Sequence, residues 1–168
     1  LNLVDPDNRR AVDYAERVLS LKEIQFRART NARSLIDELL GNRFDGRLKL
    51  YLIAAALKTR NQNSHLYQDG AYVTLQPAGR FHNHVVAFAR HYGHTWSISA
   101  VPRFLTELVG KDEDPIGPAV WQDTVIDLPD GAPVRWHNVF TNEVLTAENT
   151  LALSEALAAF PVALLIGE

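Results

Sequence analysis

The feature that most limits what this chain can fold into is a change of period. As far as about residue 60 its apolar residues recur every third or fourth position, and after Gly70 they recur toward every second one. The first spacing lays an apolar stripe along a helix; the second puts alternate side chains on one face of a strand. A helical part followed by a strand-rich part is therefore predicted, with the boundary near residues 62–70. Charge changes at the same place. Residues 1–60 hold 12 Lys and Arg against 8 Asp and Glu, whereas residues 61–168 hold 5 against 12. The expected division is a helical segment over 1–64 and a β domain over 65–168.

Within the first part a short helical pattern runs from Arg9 to about Leu19, and Ser20 interrupts it. A second helix is predicted from about Leu21 to Leu40, on Leu21, Ile24, Ala28, Ala32, Leu35, Ile36 and Leu39. Gly41-Asn42 is its stop signal. Asp45-Gly46 opens a third helix, from about Arg47 to Arg60, that is apolar on nearly every face between Leu48 and Leu57. Such a helix is expected to lie buried between layers. Asn61-Gln62-Asn63-Ser64 then ends the pattern.

In the second part Tyr72 to Leu75, His84 to Phe88, Trp96 to Val101, Trp121 to Leu128, Val134 to Trp136 and Val162 to Ile166 read as strands. Pro77-Ala78-Gly79, Tyr92-Gly93, Lys111 to Gly117 and Pro129-Asp130-Gly131 read as turns or loops. Pro102 to Val109 and Ser154 to Phe160 suit short helices between strands. Strands at this spacing with hairpin-sized turns make an antiparallel sheet or sandwich, and the fold class is α+β.

Composition narrows the function classes. No apolar run reaches membrane-spanning length. A net charge of −3 argues against a nucleic-acid partner. The absence of cysteine excludes disulfides and thiolate chemistry and is compatible with a reducing, cytoplasmic setting. The chain also lacks methionine, so it is read as a fragment that does not begin at its own initiator.

The densest chemistry lies in Val4-Asp5-Pro6-Asp7-Asn8-Arg9-Arg10-Ala11-Val12-Asp13-Tyr14. Asp5-Pro6-Asp7-Asn8 reads as a turn, with Asp7 as N-cap of a helix beginning at Asn8 or Arg9. Two guanidiniums follow, with Asp13 and Tyr14 about one turn further on. Donor forks and carboxylate acceptors together suit a ligand rich in hydroxyls. The same residues also suit a capped surface helix with local ion pairs.

That stretch closely resembles the segment following the last barrel strand in maltooligosyl trehalose synthases, α-amylase-like enzymes; the family usually has Pro where Ala11 stands. Further similar stretches follow in family order: Asp45 to Lys49, Leu66 to Tyr72, Val85 to Arg90, Val101-Pro102-Arg103, Trp121 to Thr124 and Phe160 to Leu165. The resemblance implies helices that close a (β/α)₈ barrel, then a β-sandwich C-terminal domain. It implies an isomerase of trehalose biosynthesis, which converts the reducing-end α-1,4 linkage of a maltooligosaccharide to α,α-1,1, with no cofactor. The implied partners are the maltooligosaccharide substrate and the upstream barrel of the same polypeptide, with no nucleic acid and no membrane. By carry-over, Asp5, Asp7, Asn8, Arg9, Arg10 and Asp13 face the sugar. The family's catalytic carboxylates lie at earlier strand ends, so the fragment is expected to be structural and inactive, with no catalytic residue of its own.

Other candidates compete. His82 and His84 at a strand start, with His91 and His94 beyond, suggest a metal but lack a local carboxylate. Asp112-Glu113-Asp114 lacks the alternating ligand spacing of a calcium loop, so no metal is expected. Arg27, Arg29 and Arg33 share no clean stripe and read as a solvated flank. Trp96, Trp121 and Trp136 would serve a rival function, a stand-alone α-glucan-binding β-sandwich, if exposed; buried, they are core. A third reading has the helices pairing with a second copy, signalled by exposed apolar area on the third helix.

Overall fold

The computed structural model describes residues 13–167, which divide into two compact units on either side of Lys58 and Thr59. The first unit contains α1 (Tyr14–Thr30), α2 (Ala32–Gly41), a 3₁₀ turn over Arg43–Asp45, and most of α3 (Arg47–Gln62), within which the division falls. α1 and α2 pack on one another. Ile24 of α1 is buried, as are Leu35, Ile36, Leu39 and Leu40 of α2.

The helix break lies elsewhere than predicted. α1 runs straight through Ser20, and the chain breaks at Asn31, with φ −156° and ψ 74°. Asn31 ends one helix and starts the next: its N–H donates to the Arg27 carbonyl at 2.8 Å, and its side chain accepts from the Ser34 N–H at 3.1 Å. A serine inside a helix costs only a few tenths of a kcal/mol, roughly, whereas an asparagine that satisfies groups at both ends rewards a break. Asn42 closes α2 where the sequence predicts a stop, its side chain donating to the Glu38 carbonyl at 2.9 Å.

One carboxylate clips three segments together. Glu38 accepts from Arg27 at 2.6 Å and from Arg47 at 2.7 Å, and Arg47 Nε reaches Asp45 at 2.7 Å. Asp45 also accepts from the Arg47 backbone N–H at 2.8 Å, with Gly46 in the left-handed region at φ 86°. The Arg27 hydrogen bond, then that of Arg47, holds the Glu38 carboxyl below its ordinary range. Burial pushes Asp45 upward, but the Arg47 N–H and guanidinium together outweigh it and hold it low. Both folded-state pKa values are depressed. Their stabilising contribution is therefore complete above the ordinary carboxylate range and is lost as pH falls through the folded values. Glu38→Gln is expected to lower the helical melting temperature by about 2–4 °C at pH 7. It should also flatten the loss of stability on acidification below the ordinary glutamate value of 4.5. Melting followed by circular dichroism at pH 7 and below that value checks both.

α3 is not buried on every face. Tyr51 is buried, which pushes its phenol up to about 12, while Ile53 is 38% and Leu57 52% exposed.

The second unit takes in the end of α3 from Thr59 and then α4 (Ser64–Gln68), a helix that the sequence pattern does not predict. Its strands are β1 (Ala71–Thr74), β2 (Pro77–Ala78), β3 (Val85–Tyr92), β4 (Thr95–Pro102), β5 (Val125–Asp127), β6 (Arg135–Asn138), β7 (Val144–Thr146), β8 (Thr150–Ala152) and β9 (Ala163–Gly167). Short helices α5 (Leu105–Leu108), α6 (Pro118–Trp121) and α7 (Leu153–Ala156) interrupt them. All pairings are antiparallel, in a six-stranded sheet of order β1-β3-β4-β9-β6-β7 and a three-stranded sheet of order β2-β5-β8. One apolar core draws on both sheets, with Ile98 and Leu165 from the larger and Ile126 and Leu151 from the smaller. The α+β class with an antiparallel second part therefore stands.

Two strand predictions need correction. Trp121 does not begin a strand; it ends α6, with Pro118 at the helix start, and the strand comes later, at Val125. His82–His84 is a 3₁₀ turn rather than a strand start, with a His82 ring nitrogen 2.9 Å from the Gly79 carbonyl. Short apolar runs carry too few residues for their period to separate helix from strand.

Candidate functional site

Asp5, Asp7, Asn8, Arg9 and Arg10, and with them the predicted cap at Asp7, lie outside the described residues. Asp13 is described, and it is the N-cap of α1 itself, exposed, its carboxylate accepting from the Glu16 N–H at 2.9 Å. After this cap α1 begins at Tyr14, and the predicted helix start at Asn8 or Arg9 lies outside the described residues. Asp13-x-x-Glu16 matches the capping-box spacing, a signal already present in the sequence. Tyr14 beside it is 73% exposed.

The remaining candidates do not converge. His84 sits edge-on to Phe81 and Phe104, and His91 stacks on Trp96 with ring centroids 4.2 Å apart. A nitrogen of His91 lies 2.6 Å from the Gly93 carbonyl. His91 and His94 edge a surface recess of about 280 Å³, together with Trp96, Pro133 and Val134. Among the described residues no three His, Asp or Glu are grouped to hold a metal ion. In the acidic loop Glu113 accepts from the Gly110 N–H at 2.9 Å. Of the arginines, Arg27 belongs to the Glu38 clip and Arg33 pairs with Asp37 at 3.2 Å.

The tryptophans are core. Trp121 and Trp136 are 0% exposed and Trp96 6%, so the platform that the α-glucan-binding module requires is absent from these three residues. Burial also explains the Trp121-Gln122-Asp123-Thr124 motif. Trp121 Nε1 donates to the Pro115 carbonyl at 2.8 Å, and Asp123 and Thr124 side chains accept from the Arg80 and Phe81 N–H groups at 3.1 Å each. Gly79 makes that approach feasible: at φ 88°, an added Cβ would stand 2.5 Å from the Asp123 carbonyl oxygen. The motif is a joint between distant segments, so sequence spacing alone does not reveal its role.

Carboxylates set the chemical limits of the site. A retaining glycosyl transfer needs two carboxyls roughly 5–5.5 Å apart, one of them held protonated. Glu38 and Asp45 are committed to Arg27 and Arg47 and are pushed the other way, toward ionisation.

No protein-family model matches the chain. It is 32% identical over 165 residues to maltooligosyl trehalose synthases from two strains of Mycobacterium tuberculosis, a match covering 98% of this chain and 17% of each relative. Its fold is similar to that of a point mutant of maltooligosyltrehalose synthase from Arthrobacter ramosus, with a TM-score of 0.69 and 26% identity. That match covers 99% of this chain and 18% of the solved one. The chain therefore spans about a sixth of the length of the relatives it matches. The sequence match over 98% of this chain and the structural match over 99% of it make the chain similar, in residues and in fold, to one segment of the maltooligosyl trehalose synthases.

Proposed function

We propose that the chain is the C-terminal part of a cytoplasmic enzyme that converts the reducing-end α-1,4 linkage of maltooligosaccharides to α,α-1,1, forming maltooligosyl trehalose. The observation that carries this reading is the match along 98% of the chain to enzymes of that name. In this reading the helical segment over 1–64 closes the catalytic barrel and the β domain over 65–168 follows it. The loop bearing Asp5, Asp7, Asn8, Arg9, Arg10 and Asp13 completes the distal wall of the cleft, where its carboxylates and guanidiniums accept from and donate to sugar hydroxyls. The catalytic carboxylates belong to the rest of the polypeptide.

Exposed apolar side chains on the helices support a role in closing a larger body: Tyr14, Val18, Leu19 and Phe26 on α1, and Leu57 on α3. In the chain on its own these same residues favour pairing with a second copy, which sedimentation would report.

Calorimetric titration with maltopentaose and trehalose, beside an assay for trehalose-end formation, tests the reading. The 168-residue chain is expected to show no turnover. Turnover would overturn the proposal, because the reacting carboxyls would then lie within it.

A further inference from the structure

Three Asp-Gly steps stand in the sequence: Asp45-Gly46, Asp69-Gly70 and Asp130-Gly131. In such a step the glycine nitrogen can reach the aspartate side-chain carbon, because no Cβ crowds the approach. The fold treats the three differently. Both Asp45 oxygens are held by Arg47, at 2.8 Å from its N–H and 2.7 Å from its Nε. At the second step the Gly70 N–H donates to the His65 carbonyl at 3.0 Å, and Asp69 lies 2.9 Å from a ring nitrogen of the same His65. Gly70 is also wedged in place, since an added Cβ would strike the Leu66 carbonyl. Asp130 and Gly131, by contrast, are the two central residues of an exposed turn between β5 and β6. The Ala132 N–H closes that turn on the Pro129 carbonyl at 3.1 Å, with Gly131 at φ 79°, as the third position of a type II turn requires. Among the described residues nothing bonds to the Asp130 carboxyl or to the Gly131 N–H. Turning this peptide plane toward the side chain therefore breaks one backbone hydrogen bond, from Ala132 to Pro129.

We propose that Asp130 is a site of covalent modification, at which the chain isomerises to isoaspartate through a succinimide. The Gly131 nitrogen attacks Cγ of the protonated Asp130 carboxyl. The N–Cγ bond forms, the N–H proton is lost, and the Cγ hydroxyl departs with a proton as water. Water then adds to one of the two ring carbonyls. Addition at Cγ breaks the new bond and restores aspartate; addition at the backbone carbonyl breaks the original peptide bond and leaves the main chain running through Cβ. One water is released and one taken up, so neither oxidant nor reductant is needed. The freed α-carboxylate then stands in a turn whose Gly131 edges the recess of His91, Trp96 and Pro133.

The test ages the folded 168-residue chain in mildly acidic heavy-oxygen water, beside the same chain unfolded in urea. Electron-transfer fragmentation of the proteolytic peptides separates isoaspartate from aspartate, and incorporated heavy oxygen marks every ring that has opened. In the folded chain Asp130 is expected to carry about tenfold more isoaspartate than Asp45 or Asp69, because groups held by hydrogen bonds react only after local opening. In urea, where those bonds are gone, the excess is expected to fall to about threefold or less. Asp130→Glu, whose extra methylene disfavours ring closure, should leave its peptide without the signal. Equal isoaspartate at the three positions of the folded chain would overturn the inference. So would an excess at Asp130 that persists unchanged in urea, since local sequence rather than the fold would then set it. A folded chain that forms none at Asp130, while the unfolded chain accumulates it there, would overturn it as well.

Discussion

Trp121→Ala is expected to remove about 4 kcal/mol from the stability of the β unit, a large fraction of what a domain of this size possesses. Trp121 is 0% exposed and belongs to the core shared by both sheets, so truncation leaves a cavity that fixed strands cannot close. It also orphans the buried Pro115 carbonyl, which now accepts from Nε1 at 2.8 Å. Trp121→Phe separates the two contributions: it keeps most of the apolar volume, loses the hydrogen bond, and should cost roughly 1–2 kcal/mol. Urea denaturation of the 168-residue chain, followed by far-ultraviolet circular dichroism, measures both. A cost below about 1 kcal/mol for the alanine variant would mean that Trp121 is not the core residue described here. The same measurement bears on function, because a sugar-stacking tryptophan is exposed and its removal leaves stability nearly unchanged.

What the sequence made legible follows from how local each cause is. The passage from helix to antiparallel strands could be read because long elements repeat their period many times: α3 and the β3–β4 hairpin lie where the spacing puts them. The helix break was misplaced because Ser20 and Asn31 are both helix-neutral by propensity, and the difference lies in Asn31 bonding at both ends. β2, β7 and β8 span two or three residues each and exist only because a distant strand pairs with them, as Pro77 does with Ile126. No local pattern encodes that. Trp121 to Thr124 could be seen as a motif, but not as the joint that holds Arg80 and Phe81. The candidate sugar-facing residues Asp5 to Arg10 were legible as a sequence motif, and their geometry lies outside the described residues. Asp13 shows how a motif residue can also carry a plain structural duty, as an N-cap.

Asn138→Leu should be nearly as damaging as the loss of Trp121, for a different reason. Asn138 is 1% exposed, and its side chain is a bridge rather than a surface group. Its Nδ2 donates to the Ala156 carbonyl at 3.2 Å; its Oδ1 accepts from the Phe140 N–H at 3.0 Å and, more weakly, from the Thr141 N–H at 3.4 Å. Those bonds join the end of β6, the turn toward β7 and the last residue of α7. Leucine has a similar shape but offers no partner, so buried backbone groups are left unsatisfied, for a total of about 3 kcal/mol. Asn138→Asp gives a sharper test. Its carboxylate can still accept from Phe140, but the oxygen replacing Nδ2 meets the Ala156 carbonyl as acceptor against acceptor unless it is protonated. That raises its folded pKa above the unfolded value, so its contribution is best preserved at low pH and is lost as pH rises through the folded value. Relative to the native chain at the same pH, the aspartate variant should therefore be less damaged near pH 4 than near pH 7, while the leucine variant loses the same amount at both. Urea midpoints at the two pH values distinguish them. An aspartate variant as stable as the native chain at neutral pH would show that the Ala156 bond contributes nothing, and that this corner is held by β6–β9 pairing alone.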